Sequence, residues 1–422
     1  MSDFLNALNQ LLWGNGLLLL LLVTGIFCLC AGHGNTFRAL RLLWKKPPKT
    51  NQTHALSPFA ASTASLAAAM GTGNIAGVAT ALTLGGAGAV FWMWVAALVG
   101  MALIYAENVL GCRYREGELC GAMAYLQKGL DSPGLAKVFA LCCVLASLGM
   151  GNMAQTNTMA QTLSAAFGTP ELLTGTAAAL LTAAVLLGGA KRVGQFTQAV
   201  IPILSCAYLL AALWVIVSHR EHLGNAFLSI FRDAFGFSEI GGGIGGAAVS
   251  IGIRRGIFSN EAGLGSSSIL HGDADGTPEQ LGAYAMCEVF LDTIVCCTLT
   301  ALAILCTGVL GSGEDGGALV LAAFSQTMGR GAAFFLPPVV ALFALCTLIG
   351  WGYCGGKAFA VLTKGRYLHM FRLLFCAAAV LGAVMELELV WTLADIANAG
   401  MMYCNLPALL LLSPACGHIR KD

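Results

Sequence analysis

The stretch Gly71-Thr72-Gly73-Asn74 interrupts an apolar run that extends from residue 57 to residue 94. Apolar residues fill 60–70 before it and 75–84 after it. The two halves together are long enough to cross a bilayer, which takes about 20 apolar residues as a helix. Two glycines next to hydroxyl and amide side chains weaken a helix, because the backbone gains other hydrogen-bonding partners. The stretch therefore predicts a membrane helix that is broken in its middle.

A broken membrane helix leaves backbone groups without helical partners, which is tolerated only where the backbone lines a cavity or is buried in protein. One half offers amide donors and the other offers carbonyl acceptors. Secondary transporters bind an anionic group and a cation near the membrane midplane in this way. The other interpretation is a close helix-packing face of small residues, formed by Gly71, Gly73 and Gly77. The stretch alone favours neither interpretation.

The composition indicates a membrane protein. Of the 422 residues, 57% are apolar and only 10% are charged, and the mean hydropathy is +0.78. Soluble domains average about 25% charged residues. The 16 cysteines fall mostly within apolar segments and show no paired C-x-x-C spacing with histidines. The expectation is therefore free thiols, no zinc or haem site, and an all-α integral membrane fold.

Eleven apolar segments are predicted to cross the membrane, at 11–31, 58–84, 87–110, 135–166, 172–190, 195–218, 239–266, 281–310, 334–356, 366–384 and 389–412. Lysine and arginine in the connecting loops indicate the orientation. Alternate loops counted from 32–57, with the C-terminus, hold 17 basic residues, whereas the opposite loops hold 3. The N-terminus is therefore predicted outside and the C-terminus in the cytoplasm. The acidic loop 267–280 is placed on the cytoplasmic side.

The ten segments after the first divide into two groups of five with opposite orientation. The first segment of the second group is also interrupted, by the stretch Gly256-Ile257-Phe258-Ser259-Asn260-Glu261-Ala262-Gly263. Two glycine-interrupted segments at corresponding positions of inverted halves indicate a transport site. The predicted organisation is an extra N-terminal helix with a basic loop (1–56), a first repeat (57–218) and a second, inverted repeat (219–422). The pairing favours the broken-helix interpretation of the first stretch.

Four stretches resemble signatures of the alanine or glycine:cation symporter family: GTGNIAGVA at 71–79, GGAGAVFWMW at 85–94, RGIFSNEAGLGS at 255–266, and Asp292-Thr293 followed by Cys296-Cys297-Thr298. The resemblance covers most of the chain from 57 to 360. It implies a leucine-transporter-like fold of five plus five helices, preceded by one extra helix. It also implies sodium- or proton-driven uptake of small neutral amino acids.

Three positions depart from the pattern of that family. Ala87 stands where the family usually has proline, and Ala122-Met123 stand in place of the usual Gly-Pro. Gly356 stands where the family commonly has glutamate. These departures concern the coupling cation and the substrate range and leave the fold unaffected.

An amino-acid zwitterion needs donors for its carboxylate and acceptors for its ammonium group, because an unpaired buried charge is very costly. The backbone amides of Thr72, Gly73 and Asn74 begin the second half-helix, where the helix dipole also favours an anion. Carbonyls around Phe258 and Ser259 are the candidate acceptors. The alternative is that Ser259 and the residue after it only cap the interrupted helix.

Three further residues are candidates for contact with the substrate. Gln155 lies in a polar cluster within an apolar segment, and the resemblance implies that it faces the substrate. Trp351 is one helical turn beyond Thr347 and shares its face, so it is predicted to form the pocket wall and restrict side-chain size. The alternatives are an interhelical hydrogen bond for Gln155, core packing for Trp351 and a bond to its own helix for Thr347.

The sodium site is an implication of the resemblance and does not follow from residue spacing. A sodium ion binds five or six oxygens, and the first helix break frees carbonyls near Ala67 and Met70. The Thr347 hydroxyl and the Ala344 carbonyl would complete the set. No other cofactor is predicted.

Glu107, Glu261 and Asp292 are carboxylates within predicted spans, where a charge costs about 2.5–3.5 kcal/mol and is functional by default. The expected partners are Arg113 or Arg115 for Glu107, and Arg254 or Arg255 for Asp292. Asp292 is also a candidate for binding the cation or a proton, and Glu261 is expected to cap or brace the second break.

These features predict a secondary symporter of the cell membrane, not an enzyme, that works by alternating access around a fixed midplane site. Its expected partners are a small neutral amino acid and the lipid bilayer, with no nucleic acid, and the chain is expected to be a monomer. A symporter for another small amine or zwitterion is the nearest alternative. A membrane enzyme would need clustered catalytic groups, but the histidines are scattered and no Walker or zinc spacing occurs. A channel would need a continuous polar stripe.

Overall fold

The computed structural model describes residues 2–31, 38–44, 56–235, 244–385 and 388–414. In these ranges the chain consists of helices, short turns and isolated β-bridges, which confirms the all-α class. Part of the orientation argument lies outside the described residues, namely Lys45, Lys46, Lys49, Arg420 and Lys421.

The main helices follow one another along most of the chain with short connections. In chain order they are α1 (Ser2–Leu12), α2 (Asn15–Ala31), α3 (Pro58–Ala69), α4 (Ala76–Gly85), α5 (Gly88–Arg113), α6 (Pro133–Phe167), α7 (Glu171–Leu186), α8 (Gly189–Ser218), α9 (Leu223–Ala234), α10 (Ile244–Asn260), α11 (Ser266–Leu270), α12 (Pro278–Thr307), α13 (Gly316–Met328), α14 (Gly331–Thr363), α15 (Leu368–Val384) and α16 (Glu388–Leu412). The helices that correspond to predicted segments end within several residues of them, whereas α9 and α13 lie in regions that were predicted as loops.

Six helices in the described part of the chain are long and apolar enough to cross a membrane: Ala7–Ala31, α5, α6, α8, α12 and α14. The remaining predicted segments correspond to shorter helices, to pairs of helices or, for 389–412, to the 25-residue helix α16. The count of eleven spans, the inverted repeat and the boundaries at 57 and 219 stay predictions.

The first predicted break is confirmed at the predicted residues. Helix α3 begins at the N-cap Ser57, whose Oγ accepts a hydrogen bond from the Ala60 amide at 3.1 Å, and it ends at Ala69. A single 3₁₀ turn, Thr72–Asn74, follows before α4 begins. At about 1.5 Å per residue, α3 and α4 are each roughly half a membrane long.

The second break exists but lies further along the chain than predicted. Helix α10 continues to Asn260, and the interruption covers 261–265, where Glu261, Gly263 and Gly265 have positive φ angles of 57°, 91° and 80°. Gly256 lies within the helix because it serves packing. A Cβ there would lie 3.0 Å from Ala96 Cβ on α5.

The packing of the helices places the two breaks side by side. Helices α10 and α12 both pack against α5, and α14 packs against α6 and α3. The N-terminal helices α1 and α2 pack against α16. Two of the long helices contain a π-helical turn, at Gly149–Met153 in α6 and at Phe290–Cys297 in α12. Such turns are frequent at functional sites, and both lie next to the breaks.

Candidate functional site

The first break contacts α6 and α14. The backbone amide and the hydroxyl of Thr72 donate to Gln155 Oε1 at 3.4 and 3.1 Å, and Gln155 Nε2 donates to the Met150 carbonyl at 3.2 Å. A Cβ at Gly71 would lie 2.6 Å from Thr347 Oγ1. Three predicted site residues, Thr72, Gln155 and Thr347, therefore meet at Gly71.

The two glycines that follow have different surroundings. A Cβ at Gly73 would lie 3.4 Å from the Phe258 ring, which is ordinary contact. At Gly77 no other atom would lie within 4 Å of a Cβ. Gly77 therefore does not contribute to a packing face, and the helix-packing interpretation of this stretch is wrong at that position.

A buried carboxylate joins the two breaks. Asp292 Oδ1 accepts a hydrogen bond from Asn74 Nδ2 at 2.6 Å, and Asp292 Oδ2 accepts from Ser259 Oγ at 2.5 Å and from Thr293 Oγ1 at 2.9 Å. All four side chains are buried. Asn74 ends the 3₁₀ turn of the first break, Ser259 precedes the second break, and Asp292 lies in the π-helical turn of α12. Three elements are thus held together by one carboxylate.

The expected pairing of Asp292 with Arg254 or Arg255 is wrong. Its oxygens accept instead from the hydroxyl and amide groups of Asn74, Ser259 and Thr293. Asn260 Oδ1 accepts from the Ala262 amide at 3.0 Å, which forms a local turn after the end of α10. Ser259 points to the carboxylate.

Thr347 links α14 to the end of α3. Its Oγ1 lies 3.1 Å from the Ala67 carbonyl and 3.1 Å from the Phe343 carbonyl. Met70 and Ala344, the other two candidate sodium ligands, are buried residues of the same two chain regions. Neutral hydroxyl and carbonyl oxygens suit a hard cation. In the described residues no cluster of three His, Cys, Asp or Glu suitable for a metal ion occurs.

Trp351 is fully buried, and it does not belong to the wall of the cavity that borders Thr72 and Gly73. Its Nε1 donates to Glu261 Oε1 at 2.8 Å, and its ring fills the space beside Gly151. Glu261 Oε2 also accepts from Ser266 Oγ at 2.6 Å, so Glu261 braces the second break as predicted. Trp351 thus supports the break from behind.

The expected pairing of Glu107 with Arg113 or Arg115 is wrong. Glu107 is fully buried, and its Oε1 accepts from Asn405 Nδ2 at 2.7 Å. The same amide group donates to the Gly263 carbonyl at 2.9 Å. Glu107 therefore contributes to the contacts around the second break, since helix α5 continues too far for its carboxylate to stay at the surface.

A cavity of about 480 Å³ extends along one face of α4 to the first break. Thr72, Gly73 and Phe258 belong to its wall, with residues of α4 at spacings of four. Such residues share one helix face. The rest of the wall consists of Thr158, Ile251 and the aromatic and charged residues Trp13, Trp391, Arg254, Arg255 and Asp395. The cavity therefore gives a small polar molecule a path to the first break and to the last turn of α10.

Of these wall residues, Trp13, Trp391 and Asp395 were not predicted. Asp395 lies within the predicted segment 389–412, where any carboxylate is a candidate functional residue. That signal was present in the sequence. The position of Trp13 depends on how the N-terminal helices pack, which no local pattern indicates.

Comparison with known proteins agrees with this geometry. The model of the sodium:alanine symporter family matches residues 1–422. The chain belongs to this family. It is similar to the sodium/alanine symporter AgcS of Methanococcus maripaludis, with 41% identity over 97% of this chain and 94% of that protein. It is also similar to the amino-acid carrier protein AlsT of Bacillus subtilis, with 36% identity over 90% of this chain and 83% of that protein.

The solved structures extend the comparison to the fold. The crystal structure of MhsT in complex with L-phenylalanine superposes with a TM-score of 0.63 at 16% identity, over 86% of this chain and 90% of that one. This likeness shows a leucine-transporter-like fold for this member of the sodium:alanine symporter family, as the sequence motifs implied.

In this family member the end of the molecule opposite the cavity is held by polar contacts. Lys357 Nζ lies 3.0 Å from Asp273 Oδ2, and the Tyr353 hydroxyl also bonds Asp273. The Leu56 amide donates to the Asp273 carbonyl at 3.1 Å, and the Asp275 amide donates to the Leu56 carbonyl at 3.0 Å. The acidic loop 267–280 is therefore paired with a basic residue from a loop predicted on the same side.

Gly71→Ala is expected to lower uptake by about tenfold or more, because overpacking costs about 1–3 kcal/mol. The added methyl group would lie 2.6 Å from Thr347 Oγ1 and 3.1 Å from Gln155 Oε1. Gly73→Ala is the matched control, since its methyl group meets Phe258 at 3.4 Å. Initial uptake rates in proteoliposomes compare the two variants. Equal rates for both would contradict a tight contact at Gly71.

Proposed function

We propose that this chain is a secondary symporter that couples inward sodium flow to the uptake of small neutral amino acids such as alanine or glycine. The observation that supports this most is the meeting of two broken helices at Asp292, beside a cavity that reaches Thr72 and Phe258. Family membership and the names of the relatives point to the same activity. The transporter family and the site's geometry both favour binding and release over a chemical step.

The amino acid would bind between the two breaks. Its carboxylate would take the amides of Thr72, Gly73 and Asn74, which form the 3₁₀ turn before the second half-helix. Its ammonium group would take carbonyls of the last turn of α10, at Phe258 and Ser259, because the last carbonyls of a helix have no partner within it. Gln155 now accepts from Thr72. On binding, the carboxylate would replace Gln155 Oε1 at the Thr72 amide.

The sodium ion would bind beside this site, to the carbonyls of Ala67, Met70 and Ala344 and to the Thr347 hydroxyl. The 3.1 Å contact between Thr347 Oγ1 and the Ala67 carbonyl brings two of these oxygens together. Filling this set would join α3 to α14 and shape the break for the amino acid. A proton as coupling ion would instead need a titratable group, and the buried Asp292, which accepts from Asn74 and Ser259, is a candidate.

Glycine and alanine are expected to be carried, and leucine and phenylalanine are not. The breaks would hold the charged ends of the substrate, so only the space beyond Cα discriminates side chains. Phe258 lies on one side of that space. Trp351 would fix the position of the opposite side through its hydrogen bond to Glu261. One methylene in an apolar pocket changes the binding free energy by only about 1–3 kcal/mol, so discrimination between alanine and serine or valine is expected to be weak.

Competition by unlabelled amino acids against labelled alanine in proteoliposomes, with and without a sodium gradient, tests the function. Alanine uptake that depends on the sodium gradient supports the proposal. Competition by leucine as strong as that by alanine would contradict the small pocket. Absence of alanine and glycine uptake, with uptake of another amine, would favour the alternative symporter.

The N-terminus is proposed to lie outside and the C-terminus in the cytoplasm of a cell membrane, with the chain acting as a monomer. Cysteines introduced at Arg366 and at Arg330 test the orientation, because the two loops are predicted on opposite sides. In intact cells an impermeant thiol reagent is expected to label the Arg330→Cys variant only. Labelling of Arg366→Cys alone would reverse the topology.

A further inference from the structure

The turn between α1 and α2 lies in the wall of the cavity. Helices α1 and α2 pack against α16, and they meet at Trp13 and Gly14. Trp13 is only 5% exposed although it lies in a turn, and it contributes directly to the cavity wall. A residue outside the ten core segments therefore borders the proposed path of the substrate.

Trp13 bridges the two helices that face each other across the cavity. Its Nε1 donates to the main-chain carbonyl of Asp395 on α16 at 2.8 Å. Its own carbonyl accepts from Arg254 Nη2 on α10. The Arg254 guanidinium also lies 5.8 Å from the centre of the Trp13 ring, within the range of a cation–π interaction. One residue thus contacts both walls.

The charged groups on the two walls attract each other but are not paired. Arg254 and Arg255 both interact electrostatically with the Asp395 carboxylate. However, in the part of the chain that the structure describes, the Asp395 carboxylate forms no ion pair within 4.0 Å. The carboxylate is instead hydrogen-bonded by Asn9 of α1, while Arg254 is bonded to Trp13. The N-terminal turn therefore supplies partners to both charges.

We propose that Trp13 is a positioning residue that holds the cavity open by keeping Arg254 from pairing with Asp395. A contact that is formed in only one of two conformations shifts the population toward that conformation. Closure of the cavity then requires the N-terminal turn to release Arg254, after which the arginine and Asp395 draw α10 and α16 together. This proposal rests on the proposed function in one respect only, namely that this cavity is the path of the substrate.

Accessibility of a cysteine in the cavity tests this role independently of transport. Thr80 lies in the cavity wall, which contains no native cysteine. The full-length Thr80→Cys protein is labelled in detergent with a charged thiol reagent, and the rate is corrected for the same protein without this change. The Trp13→Ala variant keeps the main-chain bond to Arg254 but loses the ring over Arg254 and the indole bond to the Asp395 carbonyl. It is therefore expected to be labelled more slowly, by up to about fivefold, the effect of about 1 kcal/mol.

Two further variants make the outcome decisive. Adding Asp395→Asn to Trp13→Ala is expected to restore the parent labelling rate, because the attraction between the walls is removed. Trp13→Phe keeps an aromatic ring over Arg254 and loses only the indole donor, so a smaller decrease is expected even if Trp13→Ala does not fold. Labelling that is unchanged or faster in both Trp13 variants would overturn the proposal. So would slow labelling that persists after Asp395→Asn. The labelling experiment does not measure uptake. A result that refutes the role of Trp13 would therefore not bear on the proposed symport, which the alanine competition experiment tests.

Discussion

Replacing Asp292 by alanine is expected to lower uptake by about 100-fold or more. The carboxylate accepts hydrogen bonds from Asn74, Ser259 and Thr293, and alanine would leave these buried donors without their acceptor. Each unsatisfied group costs about 1–3 kcal/mol, and a factor of ten in rate corresponds to about 1.4 kcal/mol. The lost hydrogen bonds are the ones that join the two breaks. We therefore expect the substitution to lower the uptake rate more than the stability of the fold.

The controls for this prediction separate packing from charge. Asp292→Asn keeps the volume and one acceptor oxygen, so we expect a folded protein with reduced but measurable uptake. Ser259→Ala removes one of the three donors and leaves the carboxylate bound by the others, so its effect is expected to be smaller. Size-exclusion profiles of the purified proteins verify folding. Parent-level uptake by a folded Asp292→Ala protein would show that this link is dispensable.

Thr347→Val is expected to raise the sodium concentration for half-maximal uptake by about tenfold, the effect of losing about 1.4 kcal/mol of binding free energy. Valine keeps the shape of threonine and removes the hydroxyl oxygen that lies 3.1 Å from the Ala67 carbonyl. Thr347→Ser is the matched control, because it keeps the oxygen and loses only a methyl group. Its sodium dependence is expected to stay close to that of the parent.

The measurement is the initial rate of labelled alanine uptake as a function of sodium concentration in proteoliposomes. The alanine affinity of Thr347→Val at saturating sodium should change much less than its sodium dependence. Equal changes in both would place Thr347 in the amino-acid site and not in the sodium site. Uptake by the parent protein that follows pH and ignores sodium would refute sodium coupling.

The helical fold was largely predictable, because each span carries its own apolar signal. The first break was placed correctly since Gly71 and Gly73 stand beside Thr72 and Asn74, which compete for backbone hydrogen bonds. The second break was placed too early because glycine has two uses. Gly256 allows α10 to approach α5 closely, whereas Gly263 and Gly265 adopt positive φ angles. A sequence alone does not distinguish these uses.

Local sequence indicated site residues at the breaks, and the family resemblance added Gln155 and Thr347, which meet Thr72 at Gly71. The partners of Asp292 come from three separate elements, so the arginines that stood near Ser259 in sequence were the wrong choice. Trp351 shares a helix face with Thr347, as predicted, but its indole donates to Glu261. Which atom a side chain reaches depends on the neighbouring helices. The same limit hid Trp13, which comes from the N-terminal turn.

The hydrogen bonds between Leu56 and residues 273–275 determine which kinds of sequence change preserve this contact. Both of its hydrogen bonds join main-chain atoms, so replacing Leu56 or Ala274 by another residue that is not proline keeps the donors and acceptors. The start of α3 and the end of the second broken helix therefore remain tied through most point mutations. Insertions or deletions in either segment would shift the register and separate them. The contact between these two segments therefore depends on the number of residues in each segment more than on which residues they are.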